Sequence, residues 1–287
     1  MVYRPFVDVD ARILNLEAGT IHIINTVPGK AVESLATSEN VTLSIIGGLG
    51  FRGMWINTQA ADLGSPERRA AVSACLDRQV IVDTVFGPAA QPGSAPFSQA
   101  TWVVDDDDPV PQRDLERARE LLAAAGVPNG FSFTLLITPD EESIRVASIM
   151  AAMCEEVGIQ FNIQQVEFGT ILARMGEGNY AAAQIELSPR NDPDLSAYPW
   201  FHTSGGINFS FYSSEEMDDL LTRARRSTDQ AERRALYRES IEVFNRDFPY
   251  IFTYHLAEMK AYRNELRGFL HIPDSMMRFE TVWLQAD

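Results

Sequence analysis

Residues 113 to 166 read RDLERARELLAAAG, VPNG, FSFTLLIT, PDE, ESIRVASIMAAMCEEVG and IQFNIQQV in order, and this order decides the fold. In the first block Leu115, Ala118, Leu121, Leu122 and Ala125 recur at helical spacing, and Gly126 stops the helix. Phe131 to Thr138 is a short apolar run with strand character. Glu142 to Val157 returns to helical spacing, with Ala147, Met150, Ala151 and Cys154 inward, and Gly158 ends it. Ile159 to Val166 alternates with period two. Strands that alternate with helices of this length predict a mixed α/β sheet covered on its faces.

The pattern continues in both directions. Downstream, Thr170 to Gly176 predicts a short helix and Tyr180 to Leu187 a strand. Ser213-Ser214-Glu215-Glu216 has the form of a capping box, opening a helix with Met217, Leu220, Leu221 and Ala224 on its apolar face. Asp229 with Glu232 opens another that buries Leu236, Val243 and Phe244. Two strands, Tyr250 to His255 and Lys260 to Tyr262, follow. Upstream, a helix over Asp10 to Ala18 precedes a strand over Thr20 to Val27, which Pro28 ends. A helix from Gly29 to Ala36 leads to a strand over Val41 to Ile46, the cluster Gly47-Gly48-Leu49-Gly50, and a strand through Met54 to Asn57. Gln59 to Ser65 marks a boundary, where Ser65 caps a helix begun by Pro66. A second helical run reaches Phe86. Gly87 to Pro96 and Asp105 to Asp108 are loops.

The chain has 287 residues, with 24 Lys+Arg against 40 Asp+Glu, giving a formal charge of -16 and a pI of about 4.7. Such an acidic chain is repelled by phosphate backbones and anionic lipid, so neither nucleic acid nor a membrane surface is expected as a partner. A hydrophobic fraction of 45% and a mean hydropathy of -0.13 fit a folded globular protein. Met1 to Asp8 lacks the apolar core of a signal peptide. Cys75 and Cys154 fall on separate predicted helices and outside any C-x-x-C. They read as two buried thiols, with a disulfide between them the alternative in an oxidising compartment.

Gly48-Leu49-Gly50-Phe51-Arg52-Gly53 matches G-x-G-x-x-G, but the next residues read as a strand where a dinucleotide site needs a helix N-terminus. The Asp105 to Asp108 run lacks the spacing of a calcium loop. His22, His202, His255 and His271 form no metal spacing; each reads as structural or surface, with His255 placed to line a cleft. No nucleophile elbow, phosphate loop or Ser/His/Asp arrangement is present. The expectation is therefore a protein with no catalytic residue, metal or cofactor.

Several stretches together resemble the family of large peptide, nickel and opine binding proteins of ABC importers. Ala11 to Ile24 is similar to that family's helix, glycine and strand segment. Ser65 to Asp83, with Ala74-Cys75-Leu76-Asp77-Arg78, is similar to its helix pair, and Ala118 to Phe131 to its "A-K-x-L-L-x-x-A-G-x-P-x-G-F". Tyr212 to Leu221 is similar to "Y-S-N-P-E-V-D-x-L-L", and Arg278 to Leu284 to the family's ending. The resemblance implies a type II, cluster C-like periplasmic-binding-protein fold: a mixed-sheet lobe plus an incomplete second lobe. It places 1–64 in a discontinuous first lobe, 65–248 in a complete ligand-binding lobe, and 249–287 back in the first. It implies a substrate-binding component of an importer in the periplasm. Its partners would be a small-molecule or peptide ligand, ABC permease subunits, and an N-terminal portion of the same protein outside this chain.

One departure bears on the ligand. Peptide-binding relatives carry a "W-x-G-D-x-x-D-P" type segment whose Asp pairs with the ligand ammonium. Here Leu187 stands in place of the Trp, and Arg190, or its neighbour Pro189 depending on a one-residue gap, in place of the Asp. Guanidinium for carboxylate inverts the preferred ligand charge. Internal pairing of Arg190 with Asp192 or Asp194 is the competing expectation. In α/β sheets ligands sit beyond the strand ends, where loops converge. The expected ligand-binding residues are thus Arg190, Ser188, Asn191, Phe168 and Thr138, with Phe51 facing them across the cleft. The expected solute is peptide-like, opine-like or otherwise anionic or zwitterionic. A small α/β hydrolase or oxidoreductase, and a chemosensory module of the same fold, are the alternatives.

Overall fold

The computed structural model describes residues 1–6, 8–185 and 190–285. Helix α1 (Val9–Glu17), strand β1 (Ile23–Ile24) and helix α2 (Val32–Ala36) come first. Asp8 caps α1 by accepting the Ala11 N–H at 2.9 Å. Ile13, Leu16, Ile24, Val32, Leu35 and Ala261 share a small core of their own. The strand expected over Thr20 to Val27 shrinks to two residues. The Thr20 and Ile21 N–H groups both bond to Asn15 O, at 3.0 and 3.3 Å, so this stretch wraps the end of α1.

Strands β2 (Val41–Gly47) and β3 (Arg52–Ile56) flank the glycine cluster, and β3 is buried throughout. Helices α3 (Pro66–Ala74) and α4 (Arg78–Val85) lead to strand β4 (Ala90–Pro92), which lies inside the expected loop. The deciding stretch then folds in the expected order: α5 (Leu115–Ala124), β5 (Ser132–Ile137), α6 (Glu141–Glu155) and β6 (Gln160–Gln165). Asp114 and Asp140 cap the two helices, each accepting an N–H at 2.8 Å. Helix α7 (Phe168–Gly176) and strand β7 (Ala182–Gln184) follow, then α8 (Pro193–Phe201), α9 (Glu215–Arg226) and α10 (Gln230–Asp247). Sequence reading omitted α8, although Asp192 before Pro193 is a cap-and-first-turn signature. Ser214 caps α9 by accepting the Met217 N–H at 3.3 Å, one residue later than the expected Ser213 to Glu216 box; Glu216 therefore stands at N2, where it pairs with Arg246 at 2.7 Å, and the box is not made.

The last long element is β8 (Tyr250–Arg263). The sequence predicted two strands there; one continuous strand of 14 residues runs instead. A small antiparallel pair, β9 (Leu266–Arg267) with β10 (Trp283–Leu284), ends the described chain. The main sheet runs β1-β8-β3-β7-β5-β6, with β2 and β4 also on β8. β5 is parallel to β6 and β7, while β3 is antiparallel to β7 and β8, so the sheet is mixed. Leu135, Ile137, Met54, Ile56 and Ala182 face one layer of helices, α3 to α6. Leu136, Trp55 and Ala183 face the other, with Phe201, Leu221, Leu236 and Phe244 of α8 to α10. Alternation along each strand feeds both cores.

Cys75 and Cys154 correct the thiol reading. They form a disulfide across the first core, Cα atoms 5.2 Å apart, joining the end of α3 to α6. Spacing alone does not show this, because 79 residues separate the pair. The Arg of the 65–83 segment has a structural role. Arg78 is buried, and its Nε donates to Phe252 O at 2.9 Å and Nη2 to Ser73 Oγ at 2.8 Å, fastening α4 to β8. Burial lowers its pKa to about 10.

Candidate functional site

β8 changes partners along its length, and this creates the candidate site. Residues 250 to 256 pair with β3 and β4; residues 257 to 263 pair with β2 and β1. β2 and β3 therefore lie end to end along one strand, with Gly48 to Phe51 at the junction. Ile56 pairs with Ala182 and Trp55 with Ala183, so the start of β3 lies at the C-terminal ends of β5, β6 and β7. The edge expected to carry the ligand loops thus faces the β2–β8 portion.

Of the six residues singled out, Phe168 opens α7 and is 44% exposed. Thr138 lies at the end of β5, where its hydroxyl bonds to Asp140 Oδ2 at 2.5 Å and Ser143 Oγ at 3.0 Å. Phe51 is half-buried; its ring meets Tyr250 at 5.1 Å and Phe252 at 5.4 Å, so it belongs to the rim of the aromatic core. Arg190 is half-buried and Asn191 exposed in the same loop. Ser188 lies outside the described residues. Asp192 pairs with Arg233 at 2.6 Å and Asp194 with Arg225 at 2.7 Å, and Arg190 itself is engaged in an interaction within the chain.

The facing wall was not foreseen. Lys260 is fully buried on β8 and pairs with Glu258 at 3.2 Å. Glu258 also accepts the Ser275 hydroxyl, and Ser44 on β2 bonds His271 Nδ1 at 2.8 Å. Asp274 takes Arg278 bidentately at 2.9 and 2.6 Å. Arg278 holds the Asp274 carboxyl down to about 2, with the Asn191 amide of the opposite loop adding to the effect. A signal for Glu258 and Lys260 exists in the sequence: charges two apart in a strand share a face. It was hidden because Lys260 was read as the start of a new strand.

At the junction itself, His255 is buried with Nδ1 3.0 Å from Gly50 O. A cavity of about 340 Å³ behind it reaches Arg238 on α10. Burial pushes the His255 pKa down to about 4; nearby Arg52 adds to this and the Gly50 bond opposes it. Among the described residues no group of three or more His, Cys, Asp or Glu could hold a metal ion, and no helix is long and apolar enough to cross a membrane.

Known proteins resemble this chain in sequence and in fold. The chain is 24% identical over 291 residues to the glutathione-binding protein GsiB of Pectobacterium atrosepticum, covering 98% of this chain and 56% of the relative. The structure of HbpA2 from Haemophilus parasuis is similar at a TM-score of 0.90 and 26% identity, over 99% of this chain and 58% of that one. The periplasmic binding protein DppA from Helicobacter pylori, in complex with the peptide STSA, is similar at a TM-score of 0.82 and 27% identity, over 99% and 56%. The chain thus spans under three-fifths of the length of these relatives. The fold is that of the type II periplasmic binding proteins. The model for bacterial extracellular solute-binding proteins, family 5 (middle), matches residues 1–209, and the chain belongs to that family.

Proposed function

We propose that this chain is the larger part of a substrate-binding component of an ABC importer, which captures a small solute in the periplasm and delivers it to permease subunits. Residues 1 to about 47 and 257 onward would form one lobe and residues 65–248 the other, which β3 and residues 250–256 join because their side chains lie in its two cores. The observation that carries this reading is the partner change along β8: one continuous strand enters both portions, with a glycine-rich junction beside it. Such a crossing suits a hinge, and a solute with affinity for both walls shifts an open–closed equilibrium. Family membership favours a carrier over an enzyme.

The solute class follows from the loop charge. Arg190 is the proposed anchor for a carboxylate or phosphate, with Ser188 and Asn191 supplying neutral hydrogen bonds, Phe168 an aromatic wall, and Thr138 and Phe51 the floor. Relatives named for glutathione and for a bound peptide fit an anionic or zwitterionic solute. The test uses the chain joined to the polypeptide that completes the first lobe. Calorimetry compares wild type with Arg190→Ala against glutathione, a dipeptide and an opine. A charge-assisted bond of this kind contributes about 1.5–3 kcal/mol, so affinity for the anionic solute should fall by roughly one to two decades. Equal affinity in both proteins would remove Arg190 from the site.

A further inference from the structure

At the opposite end of the sheet from the cleft, where β3 ends and β7 begins, a second cavity of about 610 Å³ opens beside the end of α7. Its walls include Asn57, Thr134, Arg174, Glu177, Tyr180 and Phe211. The volume falls in the usual range for small-molecule sites. Two observations separate it from an incidental surface dip. First, consecutive residues pin both walls. The Asn57 amide donates to Gly178 O at 3.0 Å and Tyr180 O at 2.9 Å, while the Thr58 hydroxyl bonds Ser210 O at 3.0 Å and Phe211 O at 3.1 Å. Second, Phe211 is held at φ 51, a left-handed conformation that a bulky residue keeps only where its surroundings impose it. Its ring lies 3.3 Å from where a Cβ on Gly178 would stand, so a side chain there would press the ring by a few tenths of an ångström, and Gly178 itself sits at φ 71, which favours glycine.

The charges define the occupant. Arg174 and Glu177 both line the cavity from the end of α7, and among the described residues neither has an ion-pair partner. A guanidinium receives a carboxylate through paired N–H groups, and a carboxylate receives an ammonium. A plain anion would be repelled by Glu177 and a plain cation by Arg174. We infer that this cavity is a second binding site, distinct from the cleft, for a zwitterionic solute of amino-acid to dipeptide size, with Arg174 taking its carboxylate, Glu177 its ammonium, and the Phe211 and Tyr180 rings its apolar part.

The inference does not depend on the cleft reading, and its test keeps the two apart. The isotope-labelled chain is titrated with the zwitterionic dipeptide Ala-Phe, following backbone amide shifts. The expected result is saturable shifts at Gly178, Asn179 and Ala181, with Gly48 and Gly50 at the junction unmoved. Arg174→Ala and Glu177→Gln, at positions that anchor no other side chain, should each weaken the apparent affinity at least tenfold. The N-acetylated, C-amidated peptide should give no saturable response. No shift at Gly178 to Ala181, shifts confined to the junction, an unchanged response in both variants, or equal binding of the blocked peptide would each overturn the proposal.

Discussion

Gly48 donates its backbone N–H to Leu256 O at 3.1 Å, and a Cβ on Gly48 would lie 2.3 Å from that same oxygen. No L side chain fits there without parting the backbones, because the obstacle is a carbonyl and not a flexible tip. This is where β8 exchanges β3 and β4 for β2. Gly48→Ala should therefore destabilise the chain by about 2 kcal/mol or more. Gly29→Ala, which meets nothing within 4 Å, should stay within about 0.5 kcal/mol of wild type. Urea denaturation of both variants decides the matter, and equal midpoints would refute the tight junction.

The Cys75–Cys154 bridge closes a loop of 79 residues' separation between two helices of one core. Loop-closure entropy in the unfolded chain gives such a link a stabilisation of about 4 kcal/mol. The double variant Cys75→Ala/Cys154→Ala should lose that much in equilibrium denaturation, with the fold retained by circular dichroism. A loss below about 1 kcal/mol would show that the bridge constrains little. The same bridge suits an oxidising compartment.

The fold was largely legible because residues 113–166 state their elements locally: caps at Asp114 and Asp140, stops at Gly126 and Gly158, and periodicity between. What escaped depends on distant partners. β8 reads as two strands because its middle, Leu256 to Met259, looks irregular until β4 is known to pair with Leu256 and β2 with Ala257 to Met259. The disulfide needs α3 and α6 to be stacked before the sulfurs can be seen to meet. For the site, strand order placed Phe168, Arg190 and Asn191 at one edge. The Glu258, Lys260 and Asp274 wall was illegible because segments far apart in sequence assemble it.

His255 makes acid stability a local measurement. Its pKa lies at about 4 in the folded chain, against an ordinary value of 6.5, because the ring is buried between Gly50 and the 93–110 loop. The unfolded chain takes up the proton first, so stability is fully present above about pH 6.5 and is lost as pH falls toward 4. The full effect is on the order of 3 kcal/mol. Asp274, held at about 2, contributes its own loss only below about pH 4. His255→Asn keeps a donor for Gly50 O and removes the titration. Between pH 7 and pH 4.5 its stability should fall by about 2 kcal/mol less than that of wild type. Parallel pH profiles would place the acid sensitivity elsewhere.

The exposed apolar side chains are unevenly placed. Among the described residues, nine of the twelve large ones lie in 1–50 or 257–287: Met1, Val2, Tyr3, Leu14, Ile45, Leu270, Met276, Trp283 and Leu284. The much longer stretch between holds only Val80, Phe168 and Leu195. Apolar surface gathered on one portion drives association when it is left in water. The relatives are longer than this chain, and their additional polypeptide is the proposed cover. The chain alone should therefore bind an environment-sensitive dye and scatter light at micromolar concentration. Leu270→Asp with Trp283→Asp should reduce both signals without moving the unfolding midpoint by more than about 0.5 kcal/mol equivalent, since both sites are exposed. Adding the polypeptide that completes the first lobe should quench the dye signal in wild type and fail to bind the double variant. A monodisperse chain that leaves the dye dark would mean that these side chains form no continuous patch and that the proposed cover has nothing to dock on.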